Sequence, residues 1–119
     1  MAEVDVFAFI RKSIPSVWAL ELLLFLLRRP AQAWCDEDLI RELRSSPTAV
    51  DSALAALTGA GFIASEDGRH RYQPASPHLD VMARAIADQY AITPVSVVRA
   101  VLLGNDKLRI FSDSFKLKD

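Results

Sequence analysis

The stretch DEDLIRELRSSPTAVDSALAALTGAGFIASEDGRHRY, Asp36 to Tyr72, decides how this chain folds. Asp36 is placed to cap a helix, and Glu37 and Asp38 set negative charge against its positive end. Leu39, Ile40 and Leu43 give that helix an inward face, leaving Arg41, Glu42 and Arg44 in water. A tight connection at Ser45 and Ser46 follows. Pro47 then falls at the first position of the next helix, with Ser46 as its cap. In this second helix Val50, Ala53, Leu54 and Leu57 recur at helical spacing, so Thr48, Asp51, Ser52 and Ala55 look outward. Gly59 and Gly61 supply the stop.

The end of the stretch changes period. Asp67-Gly68 is a two-residue hairpin turn between two short β-runs. Pairing about it sets Glu66 opposite Arg69, Ser65 opposite His70, Ala64 opposite Arg71 and Ile63 opposite Tyr72. Alternation predicts Ile63 and Tyr72 on the buried face and Arg69 with Arg71 on the other.

Outward from this centre the chain reads as helix. Residues 1–13 read as a short lead-in, open to helix formation, with apolar Val6, Phe7, Phe9 and Ile10 for contacts with the rest of the chain. The next helix is expected to carry Pro15 in its first turn, with Ser13 as cap, and to stop at Pro30. Its run VWALELLLFLL, Val17 to Leu27, is apolar nearly all round and predicts a central position or partial burial against another chain. That run is 11 residues long and contains Glu21, whereas a membrane span needs about 20 apolar residues. Beyond Pro74, Ser76-Pro77 opens a helix with Leu79, Met82, Ala83, Ile86 and Tyr90 on one face. Thr93-Pro94 opens another that carries Val97, Val98, Val101 and Leu102 and ends at Gly104. Asn105 or Asp106 caps a last segment in which Leu108, Phe111 and Phe115 make a stripe, read as a dimer or partner interface.

The 119 residues suit one domain with a modest core. A hydrophobic fraction of 51% with 24% charged is ordinary for a globular chain. Fourteen basic and 15 acidic side chains leave a net charge of −1, so there is no global field to draw in a polyanion. The start MAEVDVFAFIRKSI is not a secretory signal, because Glu3 and Asp5 stand where a positive region belongs. Cys35 is the single cysteine and makes no internal disulfide, which suits a reducing cytoplasm.

Helix, helix, short turn, helix, glycine, hairpin is the order of a winged helix-turn-helix. Residues 14–74 resemble the MarR and ArsR type of bacterial regulator, with LxxLTGAGFI and the hairpin carrying the likeness. The chain is also similar to small bacterial winged-helix proteins of unsettled function, some ending in a segment like KLRxFxDxFKLK. The resemblance implies a mainly α fold: a winged helix-turn-helix over 14–74 with a two-stranded wing, then additional helices over 75–119 for packing or dimerisation. It implies a cytoplasmic transcriptional regulator, a homodimer on duplex DNA, with no catalytic residues and no cofactor. By position, the DNA-binding residues would be Arg41, Arg44, Ser46, Thr48, Ala49, Asp51, Ser52, Arg69, His70 and Arg71. Ser and Thr bond phosphates or base edges, and a small Ala admits a thymine methyl.

The charge count pulls the other way. From Ala31 to Ala75 there are Arg41, Arg44, Arg69 and Arg71 against Asp36, Glu37, Asp38, Glu42, Asp51, Glu66 and Asp67. Most DNA-reading motifs have the opposite balance. Convergence of these arginines with Arg28 and Arg29 on one side would restore a phosphate-binding patch, while pairing such as Glu66–Arg69 would consume it. The alternative is a winged-helix adaptor that docks a protein partner and ignores DNA. Neither His70 nor His78 has ligand spacing to another metal donor, and His70 is expected as a plain surface side chain. No nucleophile with its base, paired carboxylates or phosphate loop can be assembled from the sequence.

Overall fold

Two helices form in the first part of the chain, the lead-in supplying one of them. Asp5 accepts a hydrogen bond from the Ala8 N–H at 3.0 Å and caps α1, Val6–Ser13. Ser13 therefore ends a helix instead of opening one. Ser16 caps α2, Val17–Arg28, by accepting from the Ala19 N–H at 3.1 Å, and Pro15 lies before it. The expected cap moves three residues because the lead-in is itself helical. The computed structural model describes residues 5–104, so Leu108, Phe111 and Phe115 lie outside the described residues.

The elements continue as β1 (Trp34–Cys35), α3 (Asp36–Leu43), α4 (Pro47–Ala60), β2 (Ile63–Glu66), β3 (Arg69–Tyr72), α5 (Pro77–Ile92) and α6 (Pro94–Leu103). The protein is mainly helical with a small antiparallel sheet. As the sequence predicts, α2 is central. Leu20, Leu22, Leu23 and Leu26 are fully buried, and each such side chain contributes about 1.5–3 kcal/mol relative to exposure. Around α2 pack α3, α4, α5 and α6, and α1 lies against α5 and α6. No helix among the described residues is long and apolar enough to cross a membrane.

The hairpin register is the one the Asp67-Gly68 turn predicts, from Glu66 opposite Arg69 to Ile63 opposite Tyr72. Asp67 and Gly68 both take positive φ, 54° and 75°, as a two-residue turn of this twist requires. Ile63 and Tyr72 are buried, while Arg69 and Arg71 are exposed.

The sheet, however, has three strands rather than two. Trp34 pairs with His70 and Cys35 with Arg69, giving the order β1-β3-β2. Two residues are too few to show alternation, so no periodic signal marks β1. What fixes it is Trp34, whose ring packs on Phe25 of α2 at 4.8 Å between centroids. β1 also displaces the expected cap of α3. Cys35 is the N-cap and makes no side-chain cap bond, and Asp36 is the first helical residue with its carboxylate turned to the sheet. In α6, Val97, Ala100 and Val101 are buried and Leu102 is exposed.

Candidate nucleic-acid interface

α4 is held by its apolar face. Val50, Ala53, Leu54 and Leu57 are buried, chiefly against α2. Ser46 accepts from the Ala49 N–H at 3.2 Å, and Pro47 starts the helix with a fixed φ. Gly61 ends it at φ +88°, a conformation that suits glycine, and a Cβ there would crowd Leu79. Thr48, Asp51, Ser52 and Ala55 consequently face solvent, and Ala49 is half-buried beside them. This exposed face carries one charge, the negative one of Asp51.

The turn into α4 comes from Arg44, which takes the left-handed conformation at φ 54° and ends α3. Its side chain is exposed, and among the described residues no ion pair reaches it. Arg41, one turn earlier, is committed to Asp38 through an ion pair. The Cys35 thiol and then Arg41 bond the Asp38 carboxyl and hold it below the usual carboxylate range, with Arg69 adding to the pull.

The sheet divides its side chains strictly by face. On the outer side, the row Cys35, Arg69, Glu66 lies next to the row Arg71, Ala64. Ala33, Ala64, Ser65, Glu66, Asp67, Arg69, Arg71 and Gln73 surround a shallow groove of about 500 Å³ there. Arg71 donates from Nε to the Gln73 Oε1 at 3.1 Å, which leaves its terminal nitrogens directed elsewhere. The expected pairing of Glu66 with Arg69 is not formed as a salt bridge. Two guanidinium groups two residues apart can each take a phosphate oxygen, with the Glu66 and Asp67 carboxylates around the same groove.

His70 does not belong to this surface. It leaves the opposite face of β3, and its side chain is 11% exposed. Nε2 lies 2.5 Å from Asp36 Oδ1, and Nδ1 lies 2.6 Å from Ser65 Oγ. His70 is thus a junction between β2, β3 and the first turn of α3, not the plain surface histidine that the sequence suggests. The sequence also offered no nucleophile beside a base, yet Ser65, His70 and Asp36 form a hydroxyl–imidazole–carboxylate chain. Ser65 and His70 are paired across the strands, and Ser65 is also one of the residues around the groove. The chain of bonds fastens the hairpin to α3. Its signal in the sequence is confined to the register, which puts Ser65 opposite His70. Asp36 is 34 residues away and invisible to any local pattern.

A second fastening lies one pair along β3. The Tyr72 hydroxyl donates to Asp80 Oδ1 at 2.6 Å, and Arg84 Nε bonds the same carboxylate at 3.1 Å. Burial and the bond to Asp80 raise the Tyr72 phenol well above its ordinary range. The bonds from Tyr72 and then Arg84 lower Asp80. Among the described residues no three His, Cys, Asp or Glu side chains gather as metal ligands. Of the sequence-derived set, Thr48, Asp51 and Ser52 share the exposed face of α4, and Arg69 with Arg71 share the outer face of the sheet. Arg41 and His70 are drawn into contacts of their own. No family model matches the sequence, and no curated protein or solved structure matches it either.

Proposed function

We propose that the chain is a winged-helix protein that binds duplex DNA without a catalytic step. In this reading α4 enters the major groove through Thr48, Asp51 and Ser52, and Arg69 and Arg71 on the hairpin take backbone phosphates. The observation that carries it is the pair of exposed arginines on the outer face of β3, with no ion pair to either among the described residues. Their hairpin follows directly on a helix whose exposed face is polar. The order helix, short strand, helix, helix, hairpin supports the winged-helix reading, because a first strand that closes on the hairpin braces it against the helices. With Arg44, Arg69 and Arg71 as phosphate ligands, the logarithm of affinity should fall against that of salt with a slope of about −3 per chain.

The test is fluorescence anisotropy of a labelled duplex from the gene's own upstream region, set against a scrambled duplex, at low and at physiological salt. The expected result is salt-sensitive binding that prefers the native duplex. Arg69→Ala with Arg71→Ala should weaken binding to both duplexes and flatten the slope by about two, since each phosphate contact contributes about one. Unchanged binding by the double variant rules out the wing assignment. Absence of binding at low salt favours a second reading, a protein-docking module. The neutral to acidic exposed face of α4 supports that alternative.

A further inference from the structure

α2 and α5 lie against each other but do not close along their whole length. Glu21, Leu24 and Arg28 stand three and then four residues apart, so they share one face of α2. On α5, Tyr90 and Ala91 follow Ala87 by three and four residues and share a face in the same way. Leu24, Leu27, Arg28, Ala87, Tyr90 and Ala91 surround a cavity of about 550 Å³ between the two helices. Sites for small molecules are typically about 300–1,000 Å³. Ala87 and Ala91 keep the space open, because a leucine at either position would fill much of it.

The polar groups around this cavity are unequal. The Tyr90 hydroxyl donates to Glu21 Oε2 at 3.5 Å, so each has the other as a partner. Arg28 is the only charged side chain of the six, it is exposed, and no ion pair reaches it among the described residues. Its neighbour Arg29, by contrast, lies over the Phe25 ring, 4.9 Å from the centroid. The cavity therefore offers aliphatic walls and one cation. A guanidinium meets a carboxylate through two parallel N–H···O bonds. One cation matches the single charge of a carboxylate and leaves a doubly charged head half compensated. A flexible alkyl chain suits a cleft walled by leucine and alanine side chains.

We propose that the cavity between α2 and α5 binds a straight-chain carboxylate of medium length, its alkyl chain between Leu24, Leu27, Ala87 and Ala91 and its carboxylate on Arg28. The proposal goes beyond DNA binding and does not rest on it. It is tested by titrating the isotope-labelled full chain with octanoate, octanamide or acetate and following the amide NMR signals. Octanoate should shift the signals of the residues around the cavity saturably, and acetate should not. Octanamide keeps the chain and loses the charge, so it should bind about three- to tenfold more weakly, as expected for one partly exposed charge-assisted contact. Arg28→Gln should remove that preference. Ala91→Leu should abolish binding of both by filling the cavity. Ala91 is exposed, so the longer side chain is added outside the core, and circular dichroism confirms that each variant folds. Equal affinity for octanoate and octanamide would overturn the proposal, as would binding that survives Ala91→Leu. Shifts centred instead on the exposed Val95, Leu102 and Leu103 of α6 would overturn it too. Concentration-dependent shifts around the cavity without any probe would assign it to a second copy and reject the carboxylate.

Discussion

His70 and Tyr72 leave the same face of β3 two residues apart and fasten it to opposite parts of the molecule. His70 bonds Asp36 at the start of α3 and Ser65 on the neighbouring strand. Tyr72 reaches Asp80 in α5 while its ring is buried with Ile63 in the core. The histidine acts through two hydrogen bonds at a half-wet site. The tyrosine combines apolar burial with one bond to a charged group. The pair shows how a four-residue strand stays in place: packing anchors one end and polar contacts set the direction of the other. For the proposed function the His70 end matters more, because it fixes the arginine-bearing hairpin relative to α3 and α4.

The largest effect should come from the tyrosine. Tyr72→Ala is expected to destabilise by about 3–5 kcal/mol, the cost of emptying a buried aromatic site. Tyr72→Phe should lose about 1 kcal/mol, because the ring stays and only the bond to Asp80 goes. Urea melts of both variants separate the two contributions. Equal losses would mean that the bond, not the ring, anchors this end.

At the other end, His70→Ala should lower stability by about 1–2 kcal/mol through two broken hydrogen bonds at a partly wet site. A double-mutant cycle with Asp36→Ala should show coupling, since each residue acts through the other. Additive losses would show that the hairpin is held to α3 by strand pairing with β1 alone.

The smallest effect lies in the pH profile of thermal unfolding. Asp80 and Asp38 are held below the usual carboxylate range. Their contribution is present above the unfolded value of about 4 and is lost as pH falls through the lower folded values. Tyr72 is raised, so its contribution holds below the unfolded value of about 10 and is lost as pH rises beyond it. Tyr72→Phe should abolish the alkaline loss and reduce the acid one, because Asp80 keeps Arg84 but loses its first partner. An unchanged alkaline limb in that variant would show that another group titrates there.

Much of the half between Asp36 and Tyr72 was legible in the sequence. Pro47, Ser46, Gly61 and Asp67-Gly68 are local instructions, each acting through its own backbone within a few residues. The register of the hairpin followed from its turn. β1 was not legible, because Trp34 and Cys35 become a strand only when β3 arrives beside them. Asp36 reads as a cap by every local rule, yet its carboxylate is taken by His70. Spacing alone did not say which of the apolar residues of α6 turn inward; Val97 and Val101 do and Leu102 does not. The candidate site was half legible. The exposed polar face of α4 and the outward arginines follow from alternation, whereas the withdrawal of Arg41 to Asp38 and of His70 to Asp36 depends on where α3 meets the sheet.

The sequence by itself determined most of the helices, the cap of α4, the hairpin and the buried stripe of α4. Those depend on backbone preference and periodicity, which act over one or two turns. The third strand, the two fastenings of β3 and the exposure, among the described residues, of one face of α6 were decided by tertiary structure. Each depends on which distant surfaces meet once α2 is buried, and such meetings leave no trace in the spacing of neighbours.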